Sequence, residues 1–401
     1  MPVGQDNDQS LLKAVSNGPS DLTGVAVSGG GDSMALLHLM HRAGHRIEAV
    51  TVNHGLRPEA AAEAASVALY CESQNIPHTT LHWSGPFPSG NLMDQARRAR
   101  LSLMADWARS RGIGHIMLGH TADDQAETLL MGLARKAGLD GLSGMRPMWS
   151  QHGVAWSRPL LTQGRQALRD YLRRQGVVWV DDPTNDDDAY TRVKARRVVK
   201  ALIPLGIGSA GLAATAANLD AARQALIWAL GREAARIVTE TAGALWIGRA
   251  GLQDLPPDMQ RRLLIAALRW TSGADYAPRE AALQRLQQAI AAGRDATLWG
   301  CRSRCVNDAV LIVREPRAVA GGVPWDGRWH VTGPAGDIRA LGAAGLRQIK
   351  DWRACGLPRA VLEVTPAIWA ADSLIAAPLA GFGPPATATV QPSFGSFLLS
   401  H

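Results

Sequence analysis

The chain has 401 residues, 46% of them hydrophobic and 19% charged, and a formal net charge of +7. That length and apolar content suffice for two or three domains with proper cores, which excludes a disordered chain and a small disulfide-stapled module. Four cysteines (Cys71, Cys301, Cys305, Cys355) make no CxxC pair, the start MPVGQDNDQS lacks an export signal, and no run reaches the about 18 apolar residues of a membrane span.

These absences lead us to expect a cytoplasmic protein with reduced thiols and no membrane partner. The charge is unevenly placed: residues 1–185 hold 17 Lys and Arg against 17 Asp and Glu, whereas 186–401 hold 25 against 18. The C-terminal part therefore carries the whole excess, which suits a polyanion partner. Many basic proteins have no such partner, so charge alone does not decide the point.

In chain order, an apolar run from Leu22 to Val27 reads as a strand. It stops at Ser28-Gly-Gly-Gly31, and Asp32-Ser33 open a helix whose apolar residues Met34, Leu36, Leu37 and Met40 follow helical spacing. Arg46 to Val52 is a second strand ending in Asn53-His54-Gly55-Leu56-Arg57, and an Ala-rich helix runs from Pro58 to about Asn75. A short strand at Thr79–Trp83, a helix from about Leu92 to Arg111 and a strand at Ile116–Leu118 entering Gly119-His120 complete the pattern. Strands alternating with helices predict an α/β, doubly wound parallel sheet whose ligand lies at the C-terminal strand ends. The glycine turn, Asn53–Arg57 and Gly119-His120 all lie at such ends.

Glycines let a backbone approach a ligand closely, and free N–H groups at a helix start suit phosphate. A dinucleotide fingerprint fails because Met34 stands where the third glycine belongs and Asn53 where an acid would meet a ribose. A Walker A loop fails because no Lys precedes a Ser or Thr after the glycines. A plain glycine turn capped by Asp32 remains the bland alternative.

Past Leu118, His120, Asp123, Asp124 and Glu127 fall at i, i+3, i+4 and i+7, one face of a helix. Thr121 and Asp124 also fit a capping box, which explains part of that face structurally. Arg97, Arg98 and Arg100 form a basic run on the preceding helix, equally readable as a solvated face. From Asp181 the composition switches from acids to Arg192, Lys194, Arg196, Arg197 and Lys200, a stripe suited to phosphates or to a charged interdomain linker.

Pro204 and Gly206–Gly208 then mark a boundary, followed by a long helix over 209–240 and helices near 256–272 and 278–292. Strand-like pieces at Thr297–Cys301, Cys305–Val313 and Trp329–Thr332 precede a Gly-, Pro- and Ala-rich tail with a helix near Leu346–Trp352. The expected division is a catalytic domain over 1–185, a basic linker over 186–208, a helical domain over 209–295 and a smaller mixed α+β region over 296–401. Cys301-Arg-Ser-Arg-Cys305 lacks a second pair or a nearby His and reads as two hairpin cysteines rather than a metal site.

SGGGDS is the signature of the PP-loop, or N-type ATP pyrophosphatase, superfamily. Within it the chain resembles the tRNA(Ile)-lysidine synthetases through Ser28–Ser33, Asn53–Arg57, Gln95–Arg100, Gly119–Thr128, Arg158–Leu161 and Asp182–Arg197. The resemblance covers about the first half with specific motifs, and Ile338–Gly383 looks like the C-terminal region of some such enzymes.

The resemblance implies an adenine nucleotide α-hydrolase-like fold and a ligase that joins free L-lysine to C2 of the wobble cytidine of a tRNA(Ile) with a CAU anticodon. It proceeds through an adenylated tRNA, releases pyrophosphate and AMP, and changes decoding from methionine to isoleucine. Implied co-substrate and cofactor are ATP and Mg²⁺, with no obligatory protein partner. Ser28, Gly29, Gly30, Gly31, Asp32 and Ser33 would hold ATP, and Asp32 the metal. Asp32, Arg97, His120, Asp123 and Asp124 would be catalytic. His54, Arg57, Glu127, Arg192, Lys194, Arg196 and Arg197 would bind substrates, with 209–295 a tRNA-binding domain.

The chain departs from the family at Arg192-Val-Lys-Ala-Arg196, where relatives typically carry an Asn in place of Val193. A thiolase-type PP-loop enzyme and a non-catalytic tRNA- or nucleotide-binding protein are the alternatives. Thiolases usually need cysteine pairs absent here, and an intact SGGGDS beside GHTADDQAET argues against a degenerate site.

Overall fold

The computed structural model describes the chain except residues 1–2, 17, 20, 54, 56–58, 84, 86–91, 182–190, 275 and 401, and the side chains of 3–6 and 92–94. It divides into two compact units, 1–223 and 224–401.

In the first unit the elements run α1 (Val3–Ser16), β1 (Thr23–Ala26), α2 (Gly31–Arg42), β2 (Ile47–Asn53), α3 (Ala60–Ser73), β3 (His78–His82), α4 (Leu92–Ser110) and β4 (His115–Leu118). There follow α5 (Ala122–Ala134), α6 (Leu139–Leu142), β5 (Met148–Gln151), β6 (Val154–Ser157), α7 (Arg165–Gln175) and α8 (Thr191–Leu202). One sheet has the order β3-β2-β1-β4-β6-β5, parallel except for the β5–β6 hairpin at one edge.

Two apolar clusters cover its faces. Val25, Leu36, Leu37, Met40, Val67, Leu168 and Tyr171 join β1 to α2, α3 and α7. Val50, Met104, Trp107, Ile116 and Trp156 pack α4 on the other side. This burial on both faces is what a parallel sheet needs, and it explains why the central strands β1 and β4 read as short, largely apolar runs without alternation.

β1 sits between β2 and β4, with Ala26 beside Leu118 in register. The chain turns one way from β1 to β2 and the other way to β4, so the sheet's switch point opens beyond Ala26 and Leu118. The residues after those two strands, Ser28–Ser33 and Gly119-His120, therefore face a shared crevice.

Several local expectations are amended. The segment 191–202, read as linker, is the helix α8, which packs against α5 and buries Val193, Ala195 and Val199. Val193 thus belongs to an apolar contact face, where a valine needs no polar partner. The α1 helix escaped sequence reading because its first two turns are mostly polar, and the β5–β6 hairpin because its strands have four residues each.

A long helix α9 (Ser209–Ile237) spans the division between units. The second unit is more sheet-rich than a helical domain. β7 (Val238–Thr241), β8 (Ala244–Gly248), α10 (Arg249–Asp254), α11 (Pro257–Ser272), α12 (Glu280–Ala291), β9 (Ala296–Leu298), β10 (Cys301–Val306) and β11 (Ala309–Arg314) form an antiparallel sheet ordered β7-β8-β11-β10-β9 with its helices. Leu230, Leu245, Leu263, Leu283 and Ile312 share one core, so strands on both sides of residue 295 serve a single layer. Cys301 and Cys305 lie on the same strand, β10, rather than on two strands of a hairpin, and all four cysteines are free thiols.

β12 (Trp329–Thr332), β13 (Asp337–Ala340), α13 (Gly342–Gln348), α14 (Arg359–Leu362), β14 (Pro366–Ala370), β15 (Ser373–Ala376), β16 (Thr387–Val390) and α15 (Phe394–Ser400) complete the chain. β13, β14 and β15 make a small antiparallel sheet with Leu341, Leu362 and Trp369 in its core. Among the described residues no single helix is long and apolar enough to cross a membrane.

Candidate active site

The loop after β1 is closed on itself. Gly29 adopts φ +87°, a left-handed conformation that glycine takes without strain. The Ser28 amide donates to Ser33 Oγ at 3.1 Å, and the Ser33 hydroxyl donates to the Gly30 carbonyl at 2.9 Å. Gly30 is extended at the N-cap of α2. The first amides of that helix have no partner within it and carry the positive end of its dipole, a ready anion seat. The segment after α7 packs onto the loop: the Val180 amide donates to the Gly29 carbonyl at 3.0 Å, and a Cβ on Gly31 would lie 3.3 Å from Trp179.

Asp32 points to the other side. Its Oδ2 accepts from Arg165 Nε at 2.9 Å, while its Oδ1 is buried without a partner. Burial raises its pKa despite the opposing guanidinium. A buried carboxylate oxygen with no donor is a fitting ligand for a hard cation.

Arg165, the first residue of α7, is the hub. Its NH2 group meets Asp124 Oδ1 at 3.0 Å and its NH1 group Glu127 Oε1 at 3.4 Å, and its amide donates to Asp123 Oδ2 at 2.7 Å. Burial works against its charge, but Asp124, Asp32 and Glu127 outweigh it and its pKa is raised. Asp124 Oδ2 also accepts from the amide and hydroxyl of Thr121 at 2.8 and 2.9 Å, the expected capping box. Burial opposes its ionisation, yet Arg165, His120 and Thr121 hold its pKa below the usual carboxylate range. Asp123 Oδ1 accepts from the Ser209 hydroxyl at 2.9 Å. Glu127, 2% exposed, accepts from Arg196 Nε at 3.0 Å besides Arg165.

Beside the acids lies a cationic side. Arg158 Nε donates to His120 Nδ1 at 3.1 Å, Arg158 NH1 donates to the Arg146 carbonyl at 2.6 Å, and the guanidinium stacks 4.0 Å over Trp149. Burial and then the charge of Arg158 pull the His120 pKa down to about 3. An arginine cannot accept a hydrogen bond, so Nδ1 supplies the lone pair and the neutral ring keeps its proton on Nε2. In this arrangement His120 is a donor. Burial, then Arg97 and Arg100, lower Arg158 to about 9, and burial, then Arg97 and Arg192, lower Arg100 to about 10. Arg97 and Arg192 thus act on the buried guanidinium groups of Arg100 and Arg158, and cations gathered this closely suit an anion.

At the switch point, then, stand a phosphate-type turn, an acid set and an arginine set. The PP-loop domain model matches residues 5–203. A curated tRNA(Ile)-lysidine synthase of Ruegeria pomeroyi is 43% identical over 99% of this chain and 98% of its own length. The chain belongs to the tRNA(Ile)-lysidine synthase family. The family's enzyme from Hyphomonas neptunium is 39% identical over 70% of this chain and 77% of its own. A U34-tRNA thiolase from Methanococcus maripaludis matches 54% of this chain and 77% of that one, with 14% identity and a TM-score of 0.47.

Of the residues singled out in the sequence, those of the loop, the His120–Glu127 face, Arg192 and Arg196 come together in this synthase-family site. The basic stripe splits: Arg196 is half-buried against Glu127, whereas Arg192, Lys194, Arg197 and Lys200 are exposed on α8, with the charge of Arg192 still acting on His120 and Arg100. His54 and Arg57 lie outside the described residues. Arg165 and Ser209 were missed. A cation in the first turn of a helix opposes the dipole, and that was the available signal that acids must sit opposite Arg165.

Proposed function

We propose that this chain uses ATP to activate the C2 oxygen of the wobble cytidine in a CAU-anticodon tRNA(Ile) and then attaches free L-lysine there. The C2 oxygen attacks the α-phosphorus, forming an O–P bond as the bond to pyrophosphate breaks. The lysine side-chain amine then forms a C–N bond at C2, AMP leaves with the oxygen, and the amine loses its protons. Membership of the lysidine synthase family supports this reading, as does one observation: a single guanidinium, Arg165, links Asp32 of the nucleotide loop to Asp124 and Glu127 of α5. The phosphate end and a seat for a cationic nucleophile are thereby within one side chain of each other.

Ser28, Gly29, Gly30, Gly31, Asp32 and Ser33 hold the phosphates in this account. Asp32 would ligate Mg²⁺ through its unpartnered Oδ1, and the metal would neutralise phosphate charge when bound. Arg97, Arg100 and Arg158 stabilise the charge on the phosphoryl group, and His120 donates to it through Nε2. Asp123, Asp124 and Glu127 orient the lysine. Its ε-amine, with a pKa near 10.4, is neutral in fewer than about one molecule in a thousand at pH 7, so an ionised carboxylate that accepts its proton has a defined task. His54, Arg57 and the exposed Lys194 and Arg197 contact RNA in a cytoplasmic enzyme, and the basic excess of the C-terminal part suits the same polyanion.

ATP labelled on its α-phosphate tests the first half reaction. Label should pass to the tRNA without lysine and be released as AMP on adding it; label that never enters RNA would remove the adenylated intermediate from the account.

A further inference from the structure

We infer that the Arg165 guanidinium occupies the seat of a lysine ammonium between Asp124 and Glu127, so that the substrate binds by displacing a resident side-chain cation. The inference rests on the assignment of these acids to lysine. Three carboxylates, Asp32, Asp124 and Glu127, converge on this one guanidinium at 2.9, 3.0 and 3.4 Å. Among the described residues Arg165 is the one cation hydrogen-bonded to Asp124, whose second oxygen accepts from Thr121. An incoming ammonium that pairs with Asp124 and Glu127 together therefore competes with Arg165 for the oxygens it now holds.

The geometry permits that exchange without moving the fold. The Arg165 main chain is fixed by its amide on Asp123 Oδ2 and follows the Gly164 N-cap of α7, while the side chain remains 18% exposed. The head group can swing on its three-carbon stem as α7 stays in place. Glu127 keeps Arg196 as a partner throughout, so the departure of Arg165 does not leave that buried carboxylate alone. An arginine in this seat keeps the acids ionised and spaced before substrate arrives, and it sets a cost on any weaker cation that enters.

Calorimetric titration of the full-length protein with L-lysine, without nucleotide or RNA, tests the exchange. With the competing cation gone, Arg165→Met is expected to bind lysine about tenfold more tightly than the wild type, whereas Arg165→Lys, which keeps a cation, should stay near the wild type. In the wild type itself, the arginine Nε–H resonance that vanishes in Arg165→Lys should move as lysine is added. A stationary resonance at saturating lysine overturns the inference even if Arg165→Met does not fold. Equal or weaker affinity in Arg165→Met overturns it too, and if the wild type still incorporates lysine into RNA, the functional reading stands. A wild type that neither binds nor incorporates lysine overturns both.

Discussion

Gly119, the residue after β4, runs so close to Asp32 that a side-chain carbon on it would meet the Asp32 carbonyl oxygen at 2.8 Å and Ser33 Cα at 2.9 Å. Both obstacles are backbone and cannot rotate away. The two strand ends at the switch point are thus held at a separation that only glycine allows, and the nucleotide loop takes its position partly from β4. Gly119→Ala is expected to cost about 1–3 kcal/mol by overpacking and to weaken ATP binding by shifting the start of α2. Gly114→Ala, where the added carbon meets nothing within 4 Å, serves as the neutral control. Denaturant unfolding and nucleotide titration of the two variants make the comparison.

Protonation of His120 gives a signed pH effect. An unfolded chain protonates this ring near pH 6.5, the folded one only near pH 3. Between those values the unfolded state binds more protons, so this residue subtracts stability as pH falls from about 6.5 toward 3 and contributes no slope above. Unfolding free energies of wild type and His120→Asn, measured at about pH 7.5 and 5.5, should show the wild type losing about 1 kcal/mol more than the variant over that step. An identical loss in both would mean that the ring is protonated in the folded protein.

Glu127 is the most enclosed of the acids and faces two guanidinium groups. Glu127→Ala leaves Arg165 and Arg196 side by side with no carboxylate between them. Because both arginines retain some exposure, a loss of about 2–3 kcal/mol is expected, below that of a fully buried pair. Lysine incorporation should fall more steeply than release of pyrophosphate from ATP and tRNA, since we propose that the acid orients the amine. Parallel measurement of the two products separates the effects.

The split of the α8 cations predicts two classes of variant. Lys194→Ala with Arg197→Ala removes two exposed cations of α8, and each lost phosphate contact should take about 0.7–0.9 from the slope of log affinity for tRNA against log salt. Arg196→Ala removes the Glu127 partner and should raise the KM for lysine with little change in that slope. Filter binding across a salt series and lysine kinetics distinguish them.

The parallel sheet and the position of its crevice were legible because Leu22–Val27 and Ile116–Leu118 are apolar runs that end in glycine, and such ends mark a ligand edge. The spacing of Asp123, Asp124 and Glu127 placed those three on α5 as expected, whereas His120, read onto the same helix face, lies before the N-cap Thr121 and reaches the site from the loop after β4. Their partners were not legible: Arg158 and Arg165 lie 38 and 41 residues beyond His120 and Asp124 respectively, and only the folded chain brings them across. The short strands β7 and β8 were hidden for a different reason. Val238–Thr241 is half exposed and follows an Ala-rich helix without a proline or glycine between them, so local propensity carried the helix too far.

We propose that the nucleotide loop and the acid face serve one reaction on one RNA base. Purified protein mixed with ATP, labelled lysine and tRNA(Ile) transcripts that differ only at the wobble position measures it most directly. ATP-dependent label is expected in the transcript carrying cytidine there and none in the transcript carrying another base. Label that enters both transcripts equally, or enters without ATP, would contradict it.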